Sequence, residues 1–301
     1  MEDEMTINKR PNMFFATYKT SIKTLLRSPV FWVSAVLAFA SIMYGAIGVN
    51  RSYVVVEDNK IIETIFDTDP RYELTYLTYI SVILNLKAWL MLYEVPAFCV
   101  ISTFVLLMRS HSDGFYEIEK AGGVKPYQYL FGRLMALVTV DLVFLVVSSF
   151  ASVNYYYFTR GGLDQFTIME YFADSSVRIM LMILPALFPS AVFFTMFTYA
   201  VGSLFKNGIV GGILGLGYVM FDYLTSTTLR MKMPQVYHDF MRPAPWNLYN
   251  WWGFWNTEWF DKKEIHNPFT LEQLMLCYAI ILGAIAILVA VSWITTKKRT
   301  K

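Results

Sequence analysis

Three acidic residues, Glu94, Asp141 and Asp222, lie in or at the edge of long apolar runs. An ion at bilayer depth costs at least about 2.5 kcal/mol on insertion scales, so each carboxylate needs a partner, a cavity or water. Two uses fit such groups: structural pairing between helices, or a place in a transport pathway. Asp141 stands near enough to the cytoplasmic end of its run to pair with a Lys or Arg of a neighbouring helix, Glu94 follows Lys87 by about two helical turns, and Asp222 falls at an outer boundary. Metal and hydrolytic chemistry find no support. His111, His238 and His266 are neither in HExxH spacing nor beside a second ligand, so no metal site is expected. The chain contains no GxxxxGK[ST] loop, so it does not bind ATP in the P-loop manner and does not read as an enzyme. Cys99 and Cys277 both fall in apolar runs, where small packing residues are expected rather than a disulfide.

The runs that hold these acids define the class. Residues of the apolar set make up 56% of the chain and charged ones 16%, against about 25% charged in soluble domains, and the mean hydropathy is +0.43. These values describe a polytopic membrane protein, and 301 residues leave room for about six spans of about 20 residues. A net charge of +2 without a dense Lys/Arg tract away from the membrane flanks excludes a nucleic-acid partner. The opening MEDEMTINKR lacks the apolar stretch and cleavage site of a secretory signal, so the first segment is expected to persist in the mature protein.

Residues Phe14, Phe15, Tyr18, Ile22, Leu25 and Leu26 recur at helical spacing, with Lys19, Lys23 and Arg27 on other faces. That pattern predicts an interfacial helix over 12–28, ended by Pro29. Six transmembrane helices are predicted at 30–49, 87–108, 134–158, 179–204, 208–225 and 271–293, giving an all-α fold in a single domain over 1–301. Glu94 and Pro96 interrupt the second span, and Pro185 and Pro189 are expected to kink the fourth. Residues 51–86 read as a mixed polar segment whose later half lies on or re-enters the membrane. A tight turn at Phe205-Lys206-Asn207 leads to the fifth helix, where Gly208, Gly211, Gly212 and Gly215 form small-xxx-small pairs. Such pairs suit close packing within the chain or a seam between subunits. In the outer segment 226–270, Trp246, Trp251, Trp252, Trp255 and Trp259 prefer the headgroup layer, which predicts interfacial or re-entrant helices. A substrate-gathering vestibule is the other use of those rings. More than half of the 25 Lys and Arg fall in the N-terminal segment, in 109–133, at Lys206 and in the tail, so both termini are expected in the cytoplasm and the chain in the plasma membrane.

The link at 110–133, SHSDGFYEIEKAGGVKPYQYLFGR, is longer and more patterned than a reversal needs. Asp113 can cap a short helix through Gly114, Phe115, Tyr116, Glu117, Ile118, Glu119 and Lys120, Gly122-Gly123 can stop it, and Pro126 can open a second amphipathic stretch. Such a link is either a solvated loop or a docking surface. The order of acidic helix, Gly, Val-Lys-Pro and Tyr-Gln-Tyr-Leu-Phe-Gly-Arg-Leu resembles the loop between the second and third membrane helices of ABC-2 type transporter permeases. In addition, LLRSPVFW resembles the end of that family's elbow helix.

That resemblance implies a coupling helix at Gly114 to Lys120 that sits in a groove of a cytoplasmic ATPase, with Gly132-Arg133 as the entry to the third span. It also implies that ATP and magnesium bind on the partner ATPase, with no cofactor in this chain, and that a second permease chain, like or unlike, meets the glycine-rich fifth helix. The expected activity is ATP-driven export of an amphiphilic substrate: a peptide, a lipid or a hydrophobic drug. The alternative is a gradient-driven transporter or channel using Glu94 and Asp141, marked by inverted repeats with paired broken helices. A membrane scaffold or sensor that binds through the aromatic outer segment is the third class.

Overall fold

The computed structural model of the chain describes residues 13–48, 52–57, 60–66, 94–112, 121–160, 187–227 and 271–300. Seven helices run through them: α1 Met13–Leu26, α2 Pro29–Gly48, α3 Val95–Ser112, α4 Pro126–Arg160, α5 Leu187–Phe205, α6 Gly208–Thr227 and α7 Leu271–Thr300. Between α2 and α3, β1 Ser52–Glu57 and β2 Lys60–Phe66 pair antiparallel, with Glu57 opposite Lys60 and a register shift between Val55 and Val56. The polar segment expected there thus includes a hairpin. The β-branched runs SYVVVE and KIIETIF, two residues apart in the sequence, are its signal.

Many large apolar side chains face outward although a core of Leu25, Phe98, Leu106 and Tyr199 is buried, and a set of small polar ones faces inward. Val33, Leu37 and Ile287 are 58%, 65% and 65% exposed, whereas Thr17, Ser21, Ser34, Ser102, Asp141 and Ser292 are buried. Water would penalise that arrangement over so large a surface; a hydrocarbon solvent favours it, because lipid solvates the apolar faces and hydroxyls serve as glue between helices.

Three helices are long and apolar enough to cross a membrane, Pro126–Ala151, Leu187–Phe205 and Tyr278–Lys298, and the bent pair α1–α2 makes a fourth if taken as one span. The six expected spans are therefore three or four among the described residues. The shortfall arises where apolar stretches are short, at Val95–Ser110 and Gly208–Phe221. The interior share of each span sets its place: 67% of the α5 window is buried and only 17% of the α7 window, so α5 is central and α7 peripheral.

The 69° bend between α1 and α2 falls where Pro29 offers no N–H. Across it, the Trp32 Nε1 donates to Leu26 O at 2.8 Å. Helix α1 buries Thr17, Ser21 and Leu25, while Phe15 and Leu26 stay exposed. Its small polar side packs on α4, where a Cβ placed on Gly132 would lie 3.0 Å from Thr17 Cβ and 3.1 Å from Phe14 O.

Helix α4 is one element from Pro126, so the second amphipathic stretch and the third span are continuous. Lys125 N donates to Gln128 Oε1 at 3.0 Å, a capping-box bond that starts it, and Gly123 takes φ 81° in the turn before. Neither Pro96 nor Pro189 breaks a described helix. Pro96 and Pro189 sit in the first turns of α3 and α5, where the missing N–H has no intrahelical acceptor to lose, and Pro185 lies outside the described residues. Lys206, at φ 53°, makes the turn between α5 and α6, and Asn207 caps α6 by accepting from Ile209 N at 2.9 Å.

Candidate functional site

Asp141 lies about 22 Å along α4 from Pro126 at about 1.5 Å per residue, close to the middle of the span Pro126–Ala151 rather than near its end. The early start of α4 accounts for the difference. Its carboxylate is fully buried. Ser102 Oγ of α3 lies 3.1 Å from Oδ1 and 3.0 Å from the carbonyl of Cys99, and Thr195 of α5 donates to Oδ2. Three helices thus converge on one side chain. The expected partner, a Lys or Arg, is replaced among the described residues by hydroxyls. Short hydroxyl side chains reach across a close helix contact without bringing a second charge into hydrocarbon.

Glu94 immediately precedes α3 and is 2% exposed. Ser41 Oγ of α2 donates to its Oε1 at 2.9 Å. Lys87, the partner expected from spacing, lies outside the described residues, as does the side chain of Asp222.

A third polar group closes the base of the 110–133 link. Ser110, in the last turns of α3, hydrogen-bonds Tyr129 in the first turns of α4 through their hydroxyls, and the guanidinium carbon of Arg133 lies 4.2 Å from the centroid of the Tyr129 ring. All three are buried. Residues 113–120, the predicted coupling helix Asp113, Gly114, Phe115, Tyr116, Glu117, Ile118, Glu119 and Lys120, lie outside the described residues, and so does the aromatic segment 228–270.

The glycines proposed for a subunit seam face the chain's own helices. A Cβ on Gly208 would come 2.8 Å from Met108 N, on Gly211 2.8 Å from Gly202 Cα, on Gly212 2.8 Å from Phe104 Cδ2, and on Gly215 2.5 Å from Thr198 Oγ1. The contact shown for them is intramolecular. Cys99 is a buried free thiol in this packing.

Sequence reasoning found both buried acids but not Ser41, Ser102, Thr195, Ser110 or Tyr129. Their signal is faint, because a hydroxyl in an apolar helix can satisfy itself on its own backbone, as Ser21 does on Thr17 O and Thr103 on Cys99 O. The chain matches no protein-family model, and no curated protein matches it at a significant level.

Proposed function

We propose that the chain is the membrane-spanning permease subunit of an ATP-driven exporter of the ABC-2 type, paired with a second permease chain and with a separate cytoplasmic ATPase that holds ATP and magnesium. The observation that carries this proposal is the clasp at the base of the 110–133 link. Ser110 and Tyr129 join the two ends of that link, while Gly132 seats α1 against α4 at the same level. A push on the segment between them is therefore delivered to α1, α3 and α4 together instead of dissipating in a loose loop. The resemblance of the link to a coupling helix supplies the source of that push. On this proposal both termini are cytoplasmic and the chain resides in the plasma membrane.

Gradient-driven transport is the second reading, and Asp141 favours it. A hydroxyl has one hydrogen, yet Ser102 Oγ lies within bonding reach of both Cys99 O and Asp141 Oδ1. A carboxyl carrying a proton would donate to Ser102 and leave it free to donate to Cys99, so the site accommodates both states of the acid. Purification of the tagged chain from its native host in mild detergent separates the two. A stoichiometric P-loop ATPase in the complex supports the exporter; substrate movement in liposomes by the chain alone, driven by a proton gradient, refutes it.

A further inference from the structure

Around α1 the side chains fall into arcs of different chemistry. At about 100° per residue, Thr17, Ser21 and Leu25 face the bundle, and Tyr18, Ile22, Phe15 and Leu26 follow as an apolar arc. Lys19, Lys23 and Arg27 come next, within an arc of about 80° that begins beside Leu26. All three are exposed, as are Phe15 and Leu26. Arg27 belongs to the same stripe although α1 ends at Leu26, because its N–H still donates to Lys23 O at 3.1 Å and keeps the helical spacing. Thr20 and Thr24, half-buried, close the circle. Trp32, also exposed, is held at the end of the stripe by its bond to Leu26 O.

We propose that this stripe binds the headgroups of anionic phospholipid, with phosphate oxygens between Lys19 and Lys23 or between Lys23 and Arg27, and acyl chains against Phe15, Leu26 and Trp32. Side chains four apart on a helix stand about 5–6 Å apart at Cβ, so one phosphate reaches two cations. The charge is not met from within the element. No acid occurs from residue 5 to residue 56, and helices α2, α3 and α4, which pack on α1, carry one acid, Asp141, which is buried. None of the three cations has a side-chain partner among the described residues. A zwitterionic headgroup brings its own ammonium to the stripe, whereas a net anionic one brings only the charge that the stripe attracts. An acidic protein surface would suit the cations too; the uncovered apolar arc beside them, with an indole at its end, favours lipid. Binding does not rest on the permease proposal, which adds only that the leaflet is the cytoplasmic one.

The test titrates the full-length chain, in a neutral detergent, with fluorophore-labelled phosphatidylglycerol and with phosphatidylcholine of the same acyl chains. Saturable binding of the anionic lipid is expected, about tenfold or more tighter than that of the zwitterionic one, since each cation near an anionic surface contributes about fivefold. Unlabelled phosphatidylglycerol should displace it, and water-soluble glycerol phosphate should not. Lys19→Gln, Lys23→Gln and Arg27→Gln combined should abolish the preference; each alone should weaken it severalfold, which serves if the triple variant does not fold. Removing the same charge at other exposed sites, with Lys125→Gln, Lys206→Gln and Lys298→Gln, should leave the preference intact. Equal affinity for the two lipids overturns the proposal, as does displacement by glycerol phosphate, which would mean a site for free phosphate. An unchanged preference in the triple variant, or an equal loss in the control, would assign the lipid to overall charge and overturn the stripe. Equal lipid affinities together with lost ATPase co-purification in the triple variant would give the stripe to a protein partner instead. No ATPase enters the titration, so its failure and that of the permease proposal are read separately.

Discussion

Ser102 on α3 and Asp141 on α4 meet at 3.1 Å in the middle of the bundle, and Thr195 binds the other carboxylate oxygen from α5. Asp141 is thus an acceptor through which three helices agree on their register. Asn in its place keeps an oxygen for Ser102 and offers an N–H to the Thr195 hydroxyl, so Asp141→Asn should cost about 1 kcal/mol or less. Asp141→Leu strands the Thr195 hydroxyl against hydrocarbon, while Ser102 retains Cys99 O; a loss of about 1–3 kcal/mol is expected. Thermal unfolding in detergent measures both. A Leu variant as stable as the parent would show that the acid is kept for something other than architecture.

Gly211 and Gly217 form a matched pair on α6. A Cβ on Gly211 would meet Gly202 Cα at 2.8 Å and Thr198 O at 2.9 Å, whereas one on Gly217 meets nothing within 4 Å. Gly211→Val should therefore separate α5 from α6 and destabilise the chain by about 1–3 kcal/mol. The same change at Gly217 should be neutral or slightly stabilising, since it removes a helix-weakening residue. If Gly211→Val instead dissociates a dimer and leaves monomer stability intact, the small-residue face serves a seam after all.

The helical class, the helix before Pro29 and the buried acids were legible because each depends on composition or on a 3.6-residue period. A helical start at Pro126 was legible too, but the span was placed only from 134: the polar Gln128 and Arg133 look extramembrane in a linear reading, yet Gln128 caps the one continuous helix and Arg133 is covered by Tyr129. The hairpin at 52–66 was passed over because Glu57, Lys60 and Glu63 gave the segment a polar average that hid its β-branched runs. The partner of Asp141 was misjudged for a related reason. Charge suggests charge, but in hydrocarbon a hydroxyl on a neighbouring helix satisfies a carboxylate with less desolvation than an ammonium would require.

Trp32 fixes the elbow. Its indole N–H reaches Leu26 O, an end-of-helix carbonyl with no intrahelical donor, and its ring sits edge-on to Phe31, 5.5 Å between centroids. Trp32→Phe retains most of the apolar surface and removes only the donor. About 1 kcal/mol of stability should be lost, and the angle between α1 and α2 should broaden, visible as a wider distance distribution between spin labels at Lys19 and Tyr44. A distribution unchanged in width would assign the bend to Pro29 alone.

Tyr129 offers the sharpest test of force transmission, because it can be altered without touching the segment that would dock. Tyr129→Phe keeps the ring beneath Arg133 and deletes the hydroxyl that meets Ser110. If the clasp joins the two ends of the 110–133 link, this variant should still co-purify with the ATPase yet lose several-fold of its substrate-stimulated hydrolysis. Glu117→Arg, by contrast, changes the docking segment itself and should lose co-purification along with stimulation. The two defects differ in kind: one complex forms and idles, the other does not form. Stimulation at the parental level in Tyr129→Phe would mean that the link delivers its push without the clasp, and the base of α4 would then be packing alone.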